Sequence, residues 1–504
     1  MSRSIINQLN DRFLPEDERL SRREMLKGLM ATAASLMLSY GFSGGAFAKN
    51  GTGRKIIVVG AGFSGLAAAF ELLAAGYEVV VIEARGRVGG RVQTLYDFIH
   101  GKHVEAGGEL VGANHPTWQA YAKHFKLEML ERTSYPDSEQ PFFCNGELLA
   151  PKKAEALWEE VEHYLSAYNK IAEPIDAFQP WKSPNAKQLD GETVNSWIEN
   201  LKCSDLCKKA IRLSEASDAN DPGWQSLLAR LAVVKGGGIE KYWSESERYR
   251  CKGGNAQLAE RLADAVGRQR IHLEMPVTDI DILANKVQVT LADGRVMEAD
   301  DVILSVPPGT WKRITFTPSL PPQLAPQMAN QVKFLSEVRT RFWEKDKLSP
   351  VSLGDGPVAE TWEATDMQSA TGHSCLTVFA GGNAADYGRG WPAEQRMAHY
   401  ALEIQKIYPS YANNFVQGKF IDWPSDPWSQ AGYSAPAPGQ IMTLGPILYS
   451  GINYNGINYN GINRLHFAGE HTSFAFQGYM EGGLHSGASV AKRIALRDSV
   501  APKT

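Results

Sequence analysis

The chain has few cysteines, no excess of charge and, in its body, no long apolar run. Five cysteines among 504 residues, odd in number and scattered, do not make the disulfide framework of a small secreted domain. A net charge of −4 leaves no basic footprint for nucleic acid. Beyond the N-terminus no apolar stretch is long enough to cross a bilayer, so we expect no stable membrane anchor. An apolar content of 43% instead predicts a globular protein, with room for two or three domains.

Only one pair of cysteines is close in sequence. Cys203 and Cys207 stand four residues apart on one face of a predicted helix. A redox pair or half of a metal site would fit this spacing, but two buried thiols are the favoured interpretation. The sequence therefore predicts no metal site.

Residues 56–91 carry the most informative pattern, that of a nucleotide-binding β-α-β unit. The predicted elements are a buried strand, a helix and a second buried strand, at Ile56–Val59, Leu66–Ala75 and Glu78–Ile82. Between the first strand and the helix stand the glycines of a G-x-G-x-x-G turn, Gly60, Gly62 and Gly65.

The three glycines have different physical roles. Gly60 permits the tight turn, Gly62 lets the backbone approach a pyrophosphate, and Gly65 lets helix and strand pack closely. The diphosphate would lie on the helix N-terminus, where free N–H groups and the helix dipole favour anions. Glu83, which follows the second strand, can accept hydrogen bonds from ribose hydroxyls. The unit therefore predicts a dinucleotide ligand.

The segment after Glu83 argues against an ordinary NAD site. It is basic, and its paired glycines let the backbone pass close to a ligand, while Arg85 and Arg91 can pair with phosphate. Here the chain resembles the flavin-containing amine oxidase family, whose E-A-x-x-R-x-G-G-R signature residues 83–91 match. The resemblance implies FAD, with candidate contacts at Ala84, Arg85, Gly90 and Arg91.

The same resemblance implies cofactor contacts further along the chain. A glycine-rich turn within 105–110 is expected beside the flavin, and a backbone amide of 276–277 near the adenine. The strand end and helix start within 469–480 are expected over the ribityl chain and the flavin. The residues concerned are Gly107, Gly108, Glu109, Leu110, Val277, Gly469, Glu470, Gly478, Tyr479 and Met480. One bound FAD would thus join the two ends of the chain.

These positions predict an α/β fold with a Rossmann-like FAD-binding domain assembled from discontinuous segments, plus a mixed sheet-and-helix substrate domain. We expect the FAD-binding domain at 54–145, 246–282 and 460–497, and the substrate-binding domain at 146–245 and 283–459. Residues 121–130 are predicted to form a short helix. The five-residue repeat within 451–463 is too short for a solenoid and is interpreted as a lengthened loop.

Residues 1–48 are interpreted as targeting rather than fold. They resemble a twin-arginine export signal, with Arg22 and Arg23 before a weakly apolar stretch and Ala46–Ala48 as a cleavage site. This pathway carries folded proteins, so FAD could be inserted before export. We expect a periplasmic or secreted protein that engages the twin-arginine export machinery; the alternative is a disordered basic N-terminus.

Four residues are candidates for the chemistry by resemblance to the family. A lysine near flavin N5, usually acting through a water, is implied at Lys333, ten residues before Trp343 of an F-W pair. Trp423 would hydrogen-bond that water. Tyr433 and Tyr479 would flank the flavin and align an amine nitrogen. The segment before Lys333 is shorter than in the family, which leaves its register open.

Two further absences bear on cofactor and substrate. Some family members attach FAD through a cysteine just before the first flanking tyrosine, where this chain has Gly432, so we expect non-covalent FAD. Oxidases of amino acids need a cation for the carboxylate, and the snake-venom type has an arginine near the position of Leu110, where this chain has none. Glu109 would suit a cationic substrate if it points into the pocket, although Arg313 could still serve a carboxylate.

The sequence therefore predicts FAD-dependent oxidation of a small-molecule amine to an imine, which hydrolyses to a carbonyl product. The electron acceptor is expected to be oxygen, giving hydrogen peroxide, or a periplasmic electron acceptor. The alternatives are an L-amino-acid oxidase, a flavin desaturase or porphyrinogen-type oxidase, and a non-catalytic exported flavoprotein. The sequence leaves a homodimer open.

Overall fold

The computed structural model describes residues 53–135, 137–450, 453–454, 457–458 and 464–500. The predicted export signal at 1–48 and most of the repeat within 451–463 lie outside these residues. Two pieces of the repeat, Asn453–Tyr454 and Ile457–Asn458, pair as antiparallel strands where a loop is predicted. Within the described residues no helix combines the length and the apolarity that a bilayer span requires.

Strands and helices follow one another along the whole described chain. The strands are β1 Lys55–Val59, β2 Glu78–Ile82, β3 Thr94–Ile99, β4 Lys102–Glu105, β5 Met129–Glu131, β6 Phe142–Cys144, β7 Glu147–Leu148, β8 Tyr249–Cys251, β9 Ile271–His272, β10 Val277–Ile282, β11 Val287–Leu291, β12 Val296–Ala299, β13 Asp301–Leu304, β14 Thr315–Thr317, β15 Val332–Val338, β16 Ser352–Gly354, β17 Glu360–Glu363, β18 Ser374–Ala380, β19 Phe415–Asp422, β20 Asn453–Tyr454, β21 Ile457–Asn458 and β22 Leu465–Phe467. The α-helices are α1 Phe63–Ala74, α2 Pro116–His124, α3 Pro151–Ala172, α4 Ala186–Gly191, α5 Val194–Glu199, α6 Asp205–Asp218, α7 Leu227–Gly236, α8 Glu240–Glu245, α9 Ala256–Val266, α10 Phe342–Lys345, α11 Gly382–Gly390, α12 Ala393–Ile407, α13 Tyr411–Asn414, α14 Gln440–Ser450 and α15 Met480–Val500.

A parallel sheet of five strands, ordered β22-β13-β1-β2-β9, joins the two ends of the chain. Its central strand is a buried apolar run, as expected where helices cover a parallel sheet. Helix α15 packs against α1 on this sheet. A Cβ atom at Gly487 of α15 would lie 2.1 Å from the carbonyl oxygen of Ser64 in α1, so the close contact of the two helices requires glycine there.

A second sheet has seven strands in the order β19-β15-β18-β17-β16-β6-β7. We call it the roof sheet. Every residue of β15 is buried. Helices α3 to α8 lie beside it, and α6 contacts β18 and β16. The described residues also form a four-stranded sheet, β12-β11-β10-β14, and three two-stranded sheets, β3-β4, β5-β8 and β20-β21.

The structure corrects three local predictions. The predicted boundary after residue 282 places β13 in the substrate domain, whereas β13 pairs with β1 and β22 in the parallel sheet. The boundary at 145 places β6 with the FAD-binding segments, whereas β6 pairs with β16 of the roof sheet. The predicted helix at 121–130 ends at His124 as part of α2, and β5 follows it. In each strand the decisive partner is more than a hundred residues away, so no local pattern reveals it.

The two cysteines that are close in sequence have a third neighbour. Cys207 is buried and Cys203 is half-buried at the start of α6. The sulfur atoms and a carboxylate oxygen of Glu160 from α3 all lie within 4.8 Å of one another. All five cysteines are free thiols.

Candidate active site

A single large cavity lies between the parallel sheet and the roof sheet and offers about 340 Å³ to the centres of water molecules. Its walls come from both ends of the chain and from the roof sheet. Of the site residues predicted from the sequence, all line the cavity except Gly65. The structure therefore brings together Gly60, Gly62, Glu83, Ala84, Arg85, Gly90, Arg91, Gly107, Gly108, Glu109, Leu110, Val277, Lys333, Trp423, Tyr433, Gly469, Glu470, Gly478, Tyr479 and Met480.

The glycine turn before α1 leaves room that no protein atom uses. Gly60 has a left-handed backbone, with a φ of 108°, and a Cβ at Gly65 would lie 2.0 Å from the carbonyl oxygen of Gly60, so protein contacts alone explain both glycines. A Cβ at Gly62 would meet nothing closer than 3.9 Å. Helix α1 starts at this point with no side-chain cap and no acidic residue in its first turn. The turn thus fits a phosphate-bearing group that approaches the backbone at Gly62.

Glu83 stabilises this turn. Its carboxylate oxygens accept hydrogen bonds from the backbone N–H of Ala61 at 2.8 Å and of Arg85 at 2.9 Å. Each oxygen keeps a second lone pair, so the carboxylate can also accept from a ribose hydroxyl, as the sequence predicts. The cavity continues past Glu83 to Val277. These features fit the extended FAD that the sequence predicts.

The two arginines expected to meet phosphate form ion pairs within the protein. Arg85 donates to Asp426 and, at 2.9 Å, to Ser429. Arg91 donates to the carbonyl of Gly432 at 2.7 Å and pairs with Glu470 at 3.0 Å. Both arginines thus tie the first cofactor segment to residues 426–432 and 470, and their pairing with phosphate through the remaining guanidinium N–H groups stays a prediction.

Glu470 organises the segments that carry the two tyrosines. Its carboxylate accepts hydrogen bonds from the hydroxyl of Ser434 at 2.6 Å and the backbone N–H of Gly478 at 2.9 Å, next to Tyr433 and Tyr479. Burial alone would raise the pKa of Glu470, but Arg91 and these hydrogen bonds hold the pKa below its usual value. An ionised Glu470 thus fixes both tyrosine-bearing segments against each other.

The tyrosines themselves have separate neighbours. The Tyr433 hydroxyl donates to the carbonyl oxygen of Asp218. A Cβ at Gly478 would lie 3.1 Å from the Tyr433 ring, so the segment before Tyr479 runs close beside that ring. Tyr479 meets the His115 ring edge to face, with centroids 5.0 Å apart. Both tyrosines line the cavity, where their flanking role stays a prediction.

Lys333 extends from β15 to the cavity, and its ammonium group forms three hydrogen bonds. Its Nζ donates to the carbonyls of Glu105 at 3.1 Å and Gly107 at 2.9 Å, and to Glu109 Oε2 at 2.7 Å. These three bonds match the three N–H groups of an ammonium. Trp423 donates its single N–H to the Ala106 carbonyl at 3.0 Å. The roles of Lys333 near flavin N5 and of Trp423 at a water stay predictions. Both side chains hold the glycine-rich turn that borders the cavity.

Glu109 lies between two buried cations. Besides Lys333, it accepts from Arg250 and, at 2.9 Å, from the indole N–H of Trp362. Burial would raise its pKa, but Lys333 and Arg250 outweigh burial and lower the pKa to about 2. The charge of Glu109 is therefore already matched within the protein, which disfavours the hypothesis that this residue serves a cationic substrate.

Sequence reasoning missed the residues at the end of the cavity away from the glycine turn, which we call the far end. It is lined by Asp218, Arg230, Glu247, Gln331 and Glu360. Arg230 is bound by Glu215 at 2.7 Å and lies 3.4 Å from Asp218. Glu360 accepts from the Ser217 hydroxyl at 2.7 Å, and burial, followed by the charge of Asp218, raises its pKa to about 8. The sequence feature that could have pointed to Glu360 is its position, as an acidic residue, in the buried strand Glu360–Glu363.

Arg313, the remaining candidate for a substrate carboxylate, lies elsewhere in the cavity. Its guanidinium sits 5.2 Å from the centroid of the Trp428 ring. Trp428 precedes Ser429, whose hydroxyl oxygen accepts a hydrogen bond from Arg85, two residues after Glu83. Arg313 therefore lies beside the segment that Arg85 binds, and its service to a substrate carboxylate stays a prediction.

Comparison with known proteins agrees with this site. Residues 63–495 match the family described as flavin containing amine oxidoreductase. The chain is 27% identical over 463 residues to an L-amino acid dehydrogenase of Synechocystis sp., covering 87% of this chain and 94% of the relative. Among solved structures, cyclohexylamine oxidase from Brevibacterium oxydans IH-35A has a TM-score of 0.78 and 26% identity, covering 88% of this chain and 99% of that chain. A putrescine oxidase bound to putrescine has a TM-score of 0.76 and 26% identity, covering 88% and 98%.

The family match spans most of the chain and agrees with the cofactor motifs at both of its ends. The open space beside the backbone of Gly62 leaves room for the diphosphate of FAD, so the cavity fits this cofactor. The protein is therefore an FAD-dependent oxidoreductase and belongs to the family of flavin-containing amine oxidoreductases.

Proposed function

We propose that the protein oxidises a primary or secondary amine to an imine, which water then converts to a carbonyl product and ammonia or a smaller amine. The observation that carries the proposal is the charge of the far end. Asp218, Glu247 and Glu360 line it, and its one lining cation, Arg230, is matched by Glu215 and Asp218. Among the described residues that line the far end, acids thus outnumber the one cation, and this composition favours a cationic amine over a carboxylate.

The chain's own residues would bind and orient the amine. When bound, FAD accepts the two electrons and the hydrogen lost from the carbon beside the nitrogen. Tyr433 and Tyr479 line the cavity on segments that Glu470 holds together. Two aromatic faces on either side of the amine would align its nitrogen, and the apolar surroundings favour the neutral form that gives up hydrogen.

We propose oxygen as the electron acceptor, with hydrogen peroxide as its product. Support comes from the names of the similar solved structures, a cyclohexylamine oxidase and a putrescine oxidase. The Synechocystis relative is named a dehydrogenase of L-amino acids, which favours the second candidate function, oxidation of an amino acid with another acceptor.

A substrate screen tests both candidates. The purified holoenzyme is mixed without air with cyclohexylamine, putrescine, benzylamine and a set of L-amino acids, and flavin bleaching is followed before air is admitted and peroxide is measured. We expect bleaching by amines and peroxide after aeration. Bleaching by L-amino acids alone would contradict the amine proposal, and bleaching without peroxide would contradict oxygen as acceptor.

FAD is expected to be bound without a covalent bond. No cysteine and no histidine is among the described residues that line the cavity, and Gly432 precedes Tyr433. Acid precipitation of the holoenzyme should therefore leave a colourless pellet and a yellow supernatant with one flavin per chain. A pellet that keeps its flavin absorbance would contradict the expectation.

We also propose that the protein is exported through the twin-arginine pathway, on the pattern of residues 1–48. Replacing Arg22 and Arg23 by lysine should keep the full-length protein in the cytoplasm, whereas the unaltered chain should appear, shortened, in the periplasmic fraction. Immunoblots of the two fractions give the answer. An unaltered chain found only in the cytoplasm would refute export.

A further inference from the structure

A cluster of two thiols and one carboxylate lies where α6 begins beside α3. Cys203 precedes α6, Cys207 stands in the first turn of that helix, and Glu160 belongs to α3. Both sulfur atoms and one carboxylate oxygen lie within 4.8 Å of one another. None of the three residues is among those that line the cavity. Ligand atoms from two helices therefore converge on one point that a single ion could occupy, away from the candidate active site.

Ser204, the N-cap residue of α6, holds the members of this cluster together. Its backbone N–H donates to one carboxylate oxygen of Glu160 at 2.7 Å, and its hydroxyl donates to the other at 2.5 Å. The same hydroxyl oxygen accepts a hydrogen bond from the backbone N–H of Cys207 at 3.1 Å. Hydrogen bonds of this kind orient the ligands of metal sites in proteins. The carboxylate of Glu160 is thus fixed beside both thiols.

The backbone at Cys203 is bound to α3 from both sides. Ser204, which follows it, bonds Glu160, and the carbonyl oxygen of Lys202, which precedes it, accepts from the hydroxyl of Tyr164. Glu160 and Cys203 are half-buried, so an ion can enter from their side of the cluster. Each oxygen of Glu160 retains a second lone pair beyond the bond from Ser204. The carboxylate can therefore bind an ion without losing its present partner.

The donor types and their spacing suit zinc. Zinc binds cysteine sulfur at about 2.3 Å and carboxylate oxygen at about 2.0–2.2 Å, with its ligands in a tetrahedron. Ligand atoms at those distances are about 3.6–3.8 Å apart, so the cluster has to contract by about 1.2 Å at most. Small rotations of the side chains supply such a movement. Two thiolates also select against magnesium and calcium, which prefer oxygen ligands.

We propose that Glu160, Cys203 and Cys207 form a zinc site that joins α3 to α6, with water as the fourth ligand. Each thiol releases its proton to the solvent as its sulfur binds the ion, and no electron is transferred. The ion would hold in place the helix whose last residue, Asp218, lines the far end of the cavity. It would stabilise the folded chain, because the unfolded chain does not bring the three ligands together.

The direct test is metal binding to tag-free holoenzyme that has been reduced, stripped with a chelator and desalted without air. Co²⁺ should bind with one equivalent per chain and give the absorption of a tetrahedral cobalt thiolate, at longer wavelengths than the flavin bands. Zn²⁺ should abolish that absorption, because it binds such sites more tightly. Zn²⁺ at a hundredfold excess over its dissociation constant should raise the melting temperature by roughly 3–5 °C. If neither the cobalt absorption nor the rise in melting temperature is seen, the inference fails.

Variants assign the binding to this cluster. Cys203→Ser, at a half-buried position, should weaken zinc binding by at least about a hundredfold, and Glu160→Gln by about tenfold or more. Glu159→Gln, exposed on the same helix, is the control for charge, and Cys144→Ala is the control for thiols outside the cluster; both should bind zinc normally. Equal zinc binding by Cys203→Ser and the unaltered enzyme would overturn the inference. So would a disulfide between Cys203 and Cys207, in place of metal, in the protein as isolated.

Discussion

Gly62→Ala is expected to give a folded protein that purifies without its yellow flavin colour. The backbone of Gly62 has a φ of −73°, which alanine adopts freely, and the added Cβ would meet no protein atom within 3.9 Å. The only group it would displace is the one that approaches the turn from the cavity. Overpacking of this kind costs roughly 1–3 kcal/mol, which is a factor of about five to 150 in affinity.

The measurement is a titration of deflavinated protein with FAD, together with the melting temperature of the apoprotein. Gly62→Ala should weaken FAD binding and leave the apoprotein melting temperature within a degree or two. Gly191→Ala, where the added Cβ meets nothing within 4 Å on α4, is the control and should bind FAD normally. Gly65→Ala, in contrast, should lower the melting temperature of the apoprotein. Its Cβ would lie 2.0 Å from the Gly60 carbonyl oxygen and so would distort the turn itself. A Gly62→Ala protein with full flavin content would show that the ligand lies elsewhere.

Lys333→Met is expected to lower kcat/KM for the best amine by about a hundredfold to a thousandfold. The substitution removes three hydrogen bonds to the segment 105–109 and leaves Glu109 buried with one cation fewer. Breaking a buried pair by removing one partner costs about 3–5 kcal/mol. The glycine-rich turn beside the cavity should loosen, and both flavin retention and turnover should fall.

A second variant separates charge balance from chemistry. In the double variant Lys333→Met with Glu109→Gln, no carboxylate is left beside the missing ammonium, so thermal stability should return towards that of the unaltered enzyme. If turnover returns as well, Lys333 serves only to neutralise Glu109; if turnover stays low, the lysine itself takes part in the reaction. Lys209→Met, which breaks the pair with Asp355 at the surface, is the control and should be fully active. An unchanged rate in Lys333→Met would contradict any role for this residue.

The pH dependence of this pair follows from Glu109. Its pKa is lowered to about 2 from an ordinary value of 4.5. A group with a lowered pKa in the folded protein adds stability that is complete above its unfolded pKa and is lost as the pH falls through the folded pKa. The pair with Lys333 should therefore stay intact down to about pH 4, and a loss of activity nearer to neutral pH must have another origin.

The part of the site that the sequence predicts well is the part encoded locally. Strand, glycine turn, helix and acid follow one another between Ile56 and Glu83, and each has a short-range physical cause. The register of β13 with β1 is invisible in the sequence, because paired positions such as Ile56 and Asp301 are 245 residues apart. The partners of Arg85 and Glu109 within the protein are likewise fixed only when distant segments meet, so the sequence does not reveal them. Glu360 went unnoticed for the same reason, since an acid in a strand is significant only once burial and neighbours are known.

The contact of α15 with α1 has a consequence for biosynthesis. A growing polypeptide makes β1 and α1 long before it makes β22 and α15, which complete their surroundings. The nucleotide site can therefore form only after both later segments have been synthesised, and flavin capture has to follow their synthesis.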